Sequence, residues 1–340
     1  MLRPAGSEGD MAEPTDPGPV LDRRGAPGCS GHAHTALIAR SDEELVAGVV
    51  PYVEEGLRAG DTVLLCLPPD THGLVTSALG ERASAVESDS RICLLGARVA
   101  DAMGVTREWI TRAAGSGSGR LRIAGQVQFG AEPRSWREGL RYEAAANRIL
   151  ADDPVSALCL FDRRALPAEV LGGVPATHPE LLVGGQLVPS SAFADQREFA
   201  LRLPLPREPL EDAGPVFAAT DSPSLASLRG ELRRVIHERV PDPDQAEDLH
   251  FAASEVASNA FRHGSRPVSA QVWVDEDQLI CAITDSGPGF DDPFAGFRPA
   301  HGDDLALGGM GLWLARKLWD HVDALPRRPG VTVRLSSRLR

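Results

Sequence analysis

The sequence contains almost no lysine. Lys317 is the single lysine among 340 residues, and arginine supplies the remaining side-chain positive charge. A Walker A phosphate-binding loop needs a lysine directly after its glycines, and the sequence has no GxxxxGK[ST] pattern. Any nucleotide site in this chain must therefore use another arrangement. Scarce lysine together with abundant alanine, glycine, proline and aspartate is typical of proteins from GC-rich bacterial genomes.

Cysteine is also scarce. The five cysteines form no CxxC pair, and four of them lie within apolar, strand-like runs: Cys66, Cys93, Cys159 and Cys281. A free cysteine in such a run behaves as a small hydrophobic side chain. We expect no zinc site and a reducing, cytoplasmic compartment.

Long apolar runs and an excess of positive charge are absent as well. No run approaches the roughly 18 apolar residues that cross a bilayer, and the N-terminus has no hydrophobic signal-peptide segment. The net charge of −13 argues against direct nucleic-acid binding. We therefore expect no membrane contact, and a disordered tail over the proline- and glycine-rich residues 1–30. Met11 is an alternative to Met1 as the start of translation, and the choice does not affect the domains described below.

The length favours two domains. Over residues 31–204, short apolar runs alternate with amphipathic stretches, which predicts an α/β domain with a mostly parallel sheet covered on both faces. The predicted strands are HTALIAR, DTVLLCLPP, SRICLLG, GRLRIAGQVQ and VSALCLFD, and the predicted helices are SDEELVAGVVPYVEEGLRAG, THGLVTSALG and SWREGLRYEAAANRILAD.

A proline-rich, charged linker is predicted at residues 205–215, followed by a second domain at 216–340. Its pattern predicts an α+β sandwich with helices on one face of a mixed, mainly antiparallel sheet. Its first long helix is predicted to be capped by Ser222, with Pro223 at the first position. The other predicted elements are the strand VFAAT, the helix DPDQAEDLHFAASEVASNAFRHG, the hairpin VSAQVWVDED–QLICAITDSG, the helix GLWLARKLWDHV and the strand GVTVRLSS.

Three short motifs in this second domain carry polar residues and glycines. Glu255, Asn259 and His263 are spaced i, i+4, i+8 and line one face of a helix that ends near Gly264. The motif DSGPG follows an apolar strand, and GGMGL opens a helix. Each motif alone is also explained by a plain turn or a close helix–sheet contact.

In this order the motifs resemble the N, G1 and G2 boxes of the GHKL ATPase superfamily, which includes DNA gyrase and the histidine kinases. The resemblance covers residues 216–340 and implies that the domain binds ATP with Mg²⁺. It implies that Asn259 is a ligand of Mg²⁺, a cation that prefers oxygen ligands. It also implies that Asp285 accepts a hydrogen bond from the adenine amino group.

The resemblance further gives the glycines a role in nucleotide binding. Gly287 and Gly289 would let the chain turn beside the base. The other glycines would let backbone N–H groups face the phosphates; they are Gly308, Gly309 and Gly311. The loop from Gly287 to Gly309 would be the ATP lid.

Glu255 lies one turn before the implied Mg²⁺ ligand. In this position its carboxylate can accept a proton from an attacking hydroxyl near the γ-phosphate, which makes it the candidate catalytic base. The alternative is a solvated helix carboxylate. His263 is explained by contacts with the last carbonyls of its helix.

This domain is short and C-terminal, and its segments FAASEVASNAFRHG and GMGLWLARKLWDHV resemble the anti-sigma-factor serine/threonine kinases of the SpoIIAB/RsbW type. That resemblance implies two partners, a sigma factor and an anti-anti-sigma (STAS) protein phosphorylated on serine. An atypical histidine kinase is the alternative suggested by HERVP, which begins at His237. His237 lies only 22 residues before Asn259, however, which leaves no room for a second hairpin helix. An ATP-gated binding module without phosphotransfer and a homodimeric assembly both stay open.

The first domain resembles the MEDS (methanogen/methylotroph, DcmR sensory) family in the segments SWREGLRYEAAANRIL, ALCLFDRRALP and ATHPELL, among others. The resemblance implies a RecA/KaiC-like shape without a P-loop and a sensory role with a small-molecule ligand. Gln126 stands where the family pattern has glutamate. Four residues near predicted strand ends are candidates for a polar sensory pocket: His34, Glu143, Asp162 and His178. The alternative is that they cap helices and strands or form hydrogen bonds within the fold.

Overall fold

The computed structural model describes residues 31–115, 117–289, 292–299 and 309–340. The predicted disordered tail and Gly308 lie outside the described residues. The strands are β1 (Ala33–Ala39), β2 (Thr62–Cys66), β3 (Glu87–Ser88), β4 (Leu121–Gly125), β5 (Val155–Asp162), β6 (Glu180–Val183), β7 (Gln186–Pro189), β8 (Phe217–Ala219), β9 (Ser269–Val274), β10 (Gln278–Asp285), β11 (His321–Pro326) and β12 (Val331–Arg338). The helices are α1 (Asp42–Ala59), α2 (Pro69–Leu79), α3 (Val99–Ala113), α4 (Pro133–Ile149), α5 (Ala168–Thr177), α6 (Gln196–Arg202), α7 (Leu225–Arg239), α8 (Pro243–His263) and α9 (Gly309–Leu318).

The first sheet has the order β3-β2-β4-β5-β1-β6-β7 and is parallel except for the β6–β7 hairpin. Separate apolar clusters cover its two faces. The predicted α/β class is thus confirmed. Ser41 begins α1 by accepting a hydrogen bond from the Glu44 backbone, and Gly60 ends it in the left-handed conformation.

The second sheet has the order β11-β12-β10-β9-β8, and its described strand pairs are all antiparallel. One face packs against α7, α8 and α9 through a cluster that includes Leu232, Val256 and Trp319. This confirms the predicted sandwich with its helices on one face. Within the described ranges no helix is long and apolar enough to cross a membrane.

Several local predictions were wrong. The run SRICLLG is a 3₁₀ turn over Ser90–Cys93, capped by Asp89, because an apolar run does not distinguish a strand from another buried segment. The helix predicted through Val322 ends at Leu318, and the chain then pairs with β12 as β11. The cap of α7 is Ser224 and not Ser222; the Ser224 hydroxyl accepts from the Ser227 backbone at 3.1 Å, so Pro223 lies outside the helix.

Helix α3 and the small elements from α5 to α6 were not predicted. The residue before α3 is Arg98, whose side chain makes no capping hydrogen bond, and Gly104 interrupts the helical pattern. The usual start signal of a helix is therefore missing.

The two domains meet through a buried ion cluster around Asp323 of β11. Its carboxylate accepts from Arg137 and Arg141 of α4 at 2.8 and 3.0 Å, and from Arg334 of β12 at 3.0 Å. Burial opposes ionisation, but the three guanidiniums, Arg141 foremost, hold the pKa of Asp323 well below its usual range. The carboxylate is therefore charged at neutral pH and joins the domains.

Acidic side chains complete the cluster. Glu138 accepts from Arg141 at 2.6 Å, and Glu211, in the predicted linker, accepts from Arg334 at 2.8 Å. Residues 205–215 contain a 3₁₀ turn, Pro209–Asp212, whose Glu211 carboxylate thereby contacts Arg334 of the second sheet.

We expect Asp323→Asn to destabilise the protein by about 3–5 kcal/mol, since it leaves three buried guanidiniums without their shared counter-charge. Thermal or urea unfolding of the full chain measures this, with the exposed Glu276→Gln as the control. Because the pKa of Asp323 is lowered in the folded state, the difference from wild type should be constant above about pH 5 and shrink below about pH 4. A loss below about 1 kcal/mol at neutral pH would contradict this account.

Candidate functional site

Helix α8 positions the first polar motif. Asp242 caps the helix by accepting from the backbones of Asp244 and Gln245. Glu255 and Asn259 are both half-buried on one face of α8, whereas His263, at the helix end, is exposed. Of the three polar residues that share this helix face, only Glu255 and Asn259 are therefore partly buried.

The second motif lies directly beside the end of α8. Asp285 ends β10 and is only 7% exposed, and its Oδ1 accepts from the Gly287 backbone N–H at 2.8 Å. A Cβ at Gly264 would overlap the Asp285 carboxylate, and a Cβ at Gly287 would lie 2.8 Å from the Cα of Gly264. Gly264 has φ −84°, so this close approach, and not a left-handed turn, requires glycine there. Gly289 has φ +84°, in the left-handed region that favours glycine.

The third motif brings the start of α9 against the first. A Cβ on Gly311 would lie 2.9 Å from the Asn259 amide nitrogen and 3.3 Å from the Glu255 Cβ. Gly309 is the first residue of α9. The N-terminus of a helix directs free N–H groups outward and favours anions. This places an anion-binding helix end next to a carboxamide and a carboxylate.

Glu255 contacts an arginine that the sequence does not single out. Arg229 of α7 pairs with the Glu255 carboxylate at 3.3 Å, and the two side chains are 39% and 34% exposed. Nothing in the sequence distinguishes Arg229 from the other arginines of α7, because the contact depends on how α7 packs against α8. His237, at the other end of α7, is exposed and pairs with Glu247 at 3.1 Å.

Residues 292–299, the longest described segment of the predicted lid, contact α9. Arg316 of α9 donates to the Ala295 carbonyl at 2.9 Å and lies over the ring of Phe297 at 4.5 Å. Phe294 and Phe297 are buried in the apolar cluster of the first domain. The loop therefore contacts both domains.

Arg316 also contacts the first domain directly. Its guanidinium pairs with Glu138 of α4 at 3.1 Å. Burial lowers the pKa of Arg316 to about 10, so the side chain stays charged at neutral pH. One arginine thus connects α4, α9 and the loop before α9.

Three of the four candidate pocket residues of the first domain come together. His34 Nε2 and His178 Nε2 lie 3.1 and 3.6 Å from Glu143 Oε2, and all three side chains are buried. Asp162 is not part of this group and pairs with Arg164 at 2.8 Å. Gln126 accepts from the Thr71 hydroxyl at 2.8 Å.

Two known domain families match the two domains of the chain separately. Residues 33–179 match the MEthanogen/methylotroph, DcmR Sensory (MEDS) domain. Residues 217–337 match the histidine kinase-like ATPase domain.

Curated relatives match the C-terminal region. The serine-protein kinase RsbW is 35% identical over 107 residues in Bacillus subtilis, 33% over 109 residues in Bacillus pumilus and 36% over 107 residues in Bacillus licheniformis. Each alignment covers 28% of this chain, and 66%, 67% and 66% of the respective relatives. The chain thus spans just under two thirds of the Bacillus subtilis protein.

We expect Gly311→Ala to weaken Mg-ATP binding by about tenfold, since the added methyl group would press on Asn259 and overpacking typically costs about 1–3 kcal/mol. Gly230→Ala in α7 is the matched control, because a Cβ there meets nothing within 4 Å. Calorimetric titration with Mg-ATP measures both variants. Equal affinities in the two variants would show that the start of α9 does not form part of the nucleotide site.

Proposed function

Since the chain combines a MEDS domain with a histidine kinase-like ATPase domain, we propose that it is a cytoplasmic signalling protein whose first domain controls ATP-dependent phosphorylation of a serine on a partner protein. The observation that carries the proposal is the meeting of three motifs at one place. Gly311 lies against Asn259 and Glu255, and Gly264, at the end of the same helix, lies against Asp285.

In the proposed complex, Asp285 accepts from the adenine amino group, and the start of α9 faces the phosphates. The half-buried Asn259 fits Mg²⁺, because its amide offers a neutral oxygen and Mg²⁺ takes one or two protein oxygens besides phosphate and water. Bound Mg²⁺ would neutralise charge on the β- and γ-phosphates. The buried Asp285 carboxylate already accepts one backbone N–H, and its remaining acceptor positions suit an exocyclic amine.

Glu255 is the proposed base. The serine oxygen of the partner forms a bond to the γ-phosphorus, the bond from that phosphorus to the β–γ bridging oxygen breaks, and ADP leaves. The serine proton passes to the Glu255 carboxylate. Arg229 pairs with that carboxylate. During transfer Arg229 would have to move away, or to contact Glu255 together with the serine hydroxyl.

The partner class follows from the resemblance to anti-sigma-factor kinases. We take the phosphoacceptor to be an anti-anti-sigma (STAS) protein and the regulated partner to be a sigma factor. The net charge of −13 favours association with a basic surface. Homodimer formation is part of the same proposal.

The Arg229–Glu255 ion pair also favours a second candidate, an ATP-gated module that sequesters its partner without phosphotransfer. The Arg229 guanidinium lies 3.3 Å from the carboxylate oxygen that a serine hydroxyl would also have to reach, so it competes with the hydroxyl for that contact. The two candidates differ in whether Glu255 is needed.

We expect Glu255→Gln to reduce phosphate transfer by about 10²–10⁴-fold while Mg-ATP affinity changes little, since the amide cannot accept the serine proton. Transfer is measured with γ-labelled ATP and candidate STAS proteins, followed by phosphoamino-acid analysis. The matched control is Glu247→Gln on the exposed face of α8, which should transfer at the wild-type rate.

Asn259→Ala should instead weaken Mg-ATP binding. Unchanged affinity in that variant would reject the ATP site itself. Full partner regulation by Glu255→Gln, without any transfer, would support the sequestration module, and acid-labile label on the chain itself would support a histidine kinase.

A further inference from the structure

Four potential metal ligands converge inside the first domain. His34 comes from β1, Glu143 from α4, Cys159 from β5, and His178 follows α5. One ligand atom from each lies within 4.8 Å of all the others. All four side chains are buried, with Cys159 the most exposed at 8%.

The hydrogen bonds around the cluster use the imidazole protons elsewhere, so few N–H or O–H groups are left to donate to the acceptor atoms inside it. The Asn147 amide nitrogen donates to the carbonyls of Glu143 and Thr177, so its oxygen accepts from His34 Nδ1 at 3.1 Å. His178 Nδ1 lies 2.9 Å from the Val174 carbonyl and must carry the proton there. Both imidazoles then direct an unprotonated Nε2 at the cluster.

Glu143 adds further acceptors at the same point. Its Oε2 lies 3.1 Å from His34 Nε2, a distance at which two lone pairs repel unless something positive lies between them. Glu143 Oε1 and His178 Nε2 are buried without a hydrogen-bond partner. The thiol of Cys159, 3.3 Å from His34 Nε2 and 3.7 Å from Glu143 Oε2, supplies one proton for three acceptor groups. Buried acceptors that are left unpaired cost about 1–3 kcal/mol each, so this arrangement calls for a cation.

The spacing fits a tetrahedral ion. Zinc–ligand bonds of about 2.0–2.3 Å at tetrahedral angles place neighbouring ligand atoms about 3.3–3.6 Å apart. Four of the six separations between ligand atoms run from 3.1 to 3.7 Å, and all six are within 4.8 Å. Imidazole nitrogen and thiolate sulfur favour a transition metal over Mg²⁺ or Ca²⁺.

We propose that His34, Glu143, Cys159 and His178 bind one divalent transition-metal ion of the Zn²⁺ type. Burial lowers the pKa of His178, which keeps that ligand neutral. Burial likewise raises the pKa of the Cys159 thiol well above its usual value, so binding replaces the sulfur–hydrogen bond with a sulfur–metal bond and releases one proton. No oxidation is involved. The half-buried ring of His32 stacks on that of His34, with the ring centroids 5.0 Å apart.

The ion would link the sensory domain to the rest of the chain through α4. Glu143 lies on the same helix as Arg137, Glu138 and Arg141, whose side chains reach Asp323 and Arg316 of the ATPase domain. The site itself does not depend on the proposed kinase function.

The test uses the full chain, treated with a chelator and titrated with Co²⁺ as a spectroscopic probe of Zn²⁺ sites. We expect one equivalent to produce the intense d–d bands of a tetrahedral ion and a thiolate-to-metal charge-transfer band. The Mg²⁺ site proposed at Asn259 and the exposed group His237–Glu247–His250 contain no thiol, so neither produces the charge-transfer band.

Cys159→Ser should abolish the charge-transfer band, whereas the matched control Cys281→Ser, a buried thiol of the other domain, should retain it. His178→Gln should keep the band and weaken Co²⁺ binding by at least tenfold, which tests the site if Cys159→Ser does not fold. Affinity should rise by about tenfold per pH unit between pH 6 and 8, because binding releases the one thiol proton. No charge-transfer band at one equivalent, or a band that survives Cys159→Ser, would overturn the proposal.

Discussion

The carboxylate of Asp323 is the contact on which the arrangement of the two domains depends. It accepts from two arginines of α4 and one of β12, and these charges are out of water. A buried ion cluster is costly unless every member is paired in good geometry. Four guanidiniums, of Arg137, Arg141, Arg316 and Arg334, face four carboxylates, of Glu138, Glu208, Glu211 and Asp323. The ion pairs of Arg137 and Arg141 with Asp323, and of Glu138 with Arg316, hold α4 against the second domain.

Helix α4 consequently serves both domains. Its Glu138 contacts Arg316, which anchors the loop at Ala295 and Phe297 next to the start of α9. Its Glu143 belongs to the buried histidine–cysteine cluster. A change in the ligation of Glu143 would reach the proposed nucleotide site by moving or rotating α4, whose position depends on packing and on the Asp323 cluster. Close-packed interiors transmit such shifts between discrete arrangements.

The sequence was most informative where function depends on local spacing. Glu255 and Asn259 share a helix face because they are four residues apart, and the glycine motifs follow in a fixed order, so their meeting could be anticipated. Arg229, Asp323 and Arg316 could not be recognised, because their importance comes from partners 26, 186 and 178 residues away. In the sequence Cys159 is indistinguishable from a small hydrophobic side chain, since its strand is apolar. Its polar neighbours come from α4, β1 and the end of α5, which no spacing rule connects. The stretch SRICLLG shows the related difficulty that apolar runs report burial more reliably than conformation.

We infer that the proposed nucleotide site and the first domain act as one unit through α4 and Arg316. Hydrogen–deuterium exchange of the full chain with and without Mg-ATP tests it most directly. The account predicts slower exchange with Mg-ATP in residues 292–299 and also in α4, Pro133–Ile149, although α4 belongs to the other domain. Protection confined to residues 216–340, with α4 unchanged, would contradict it.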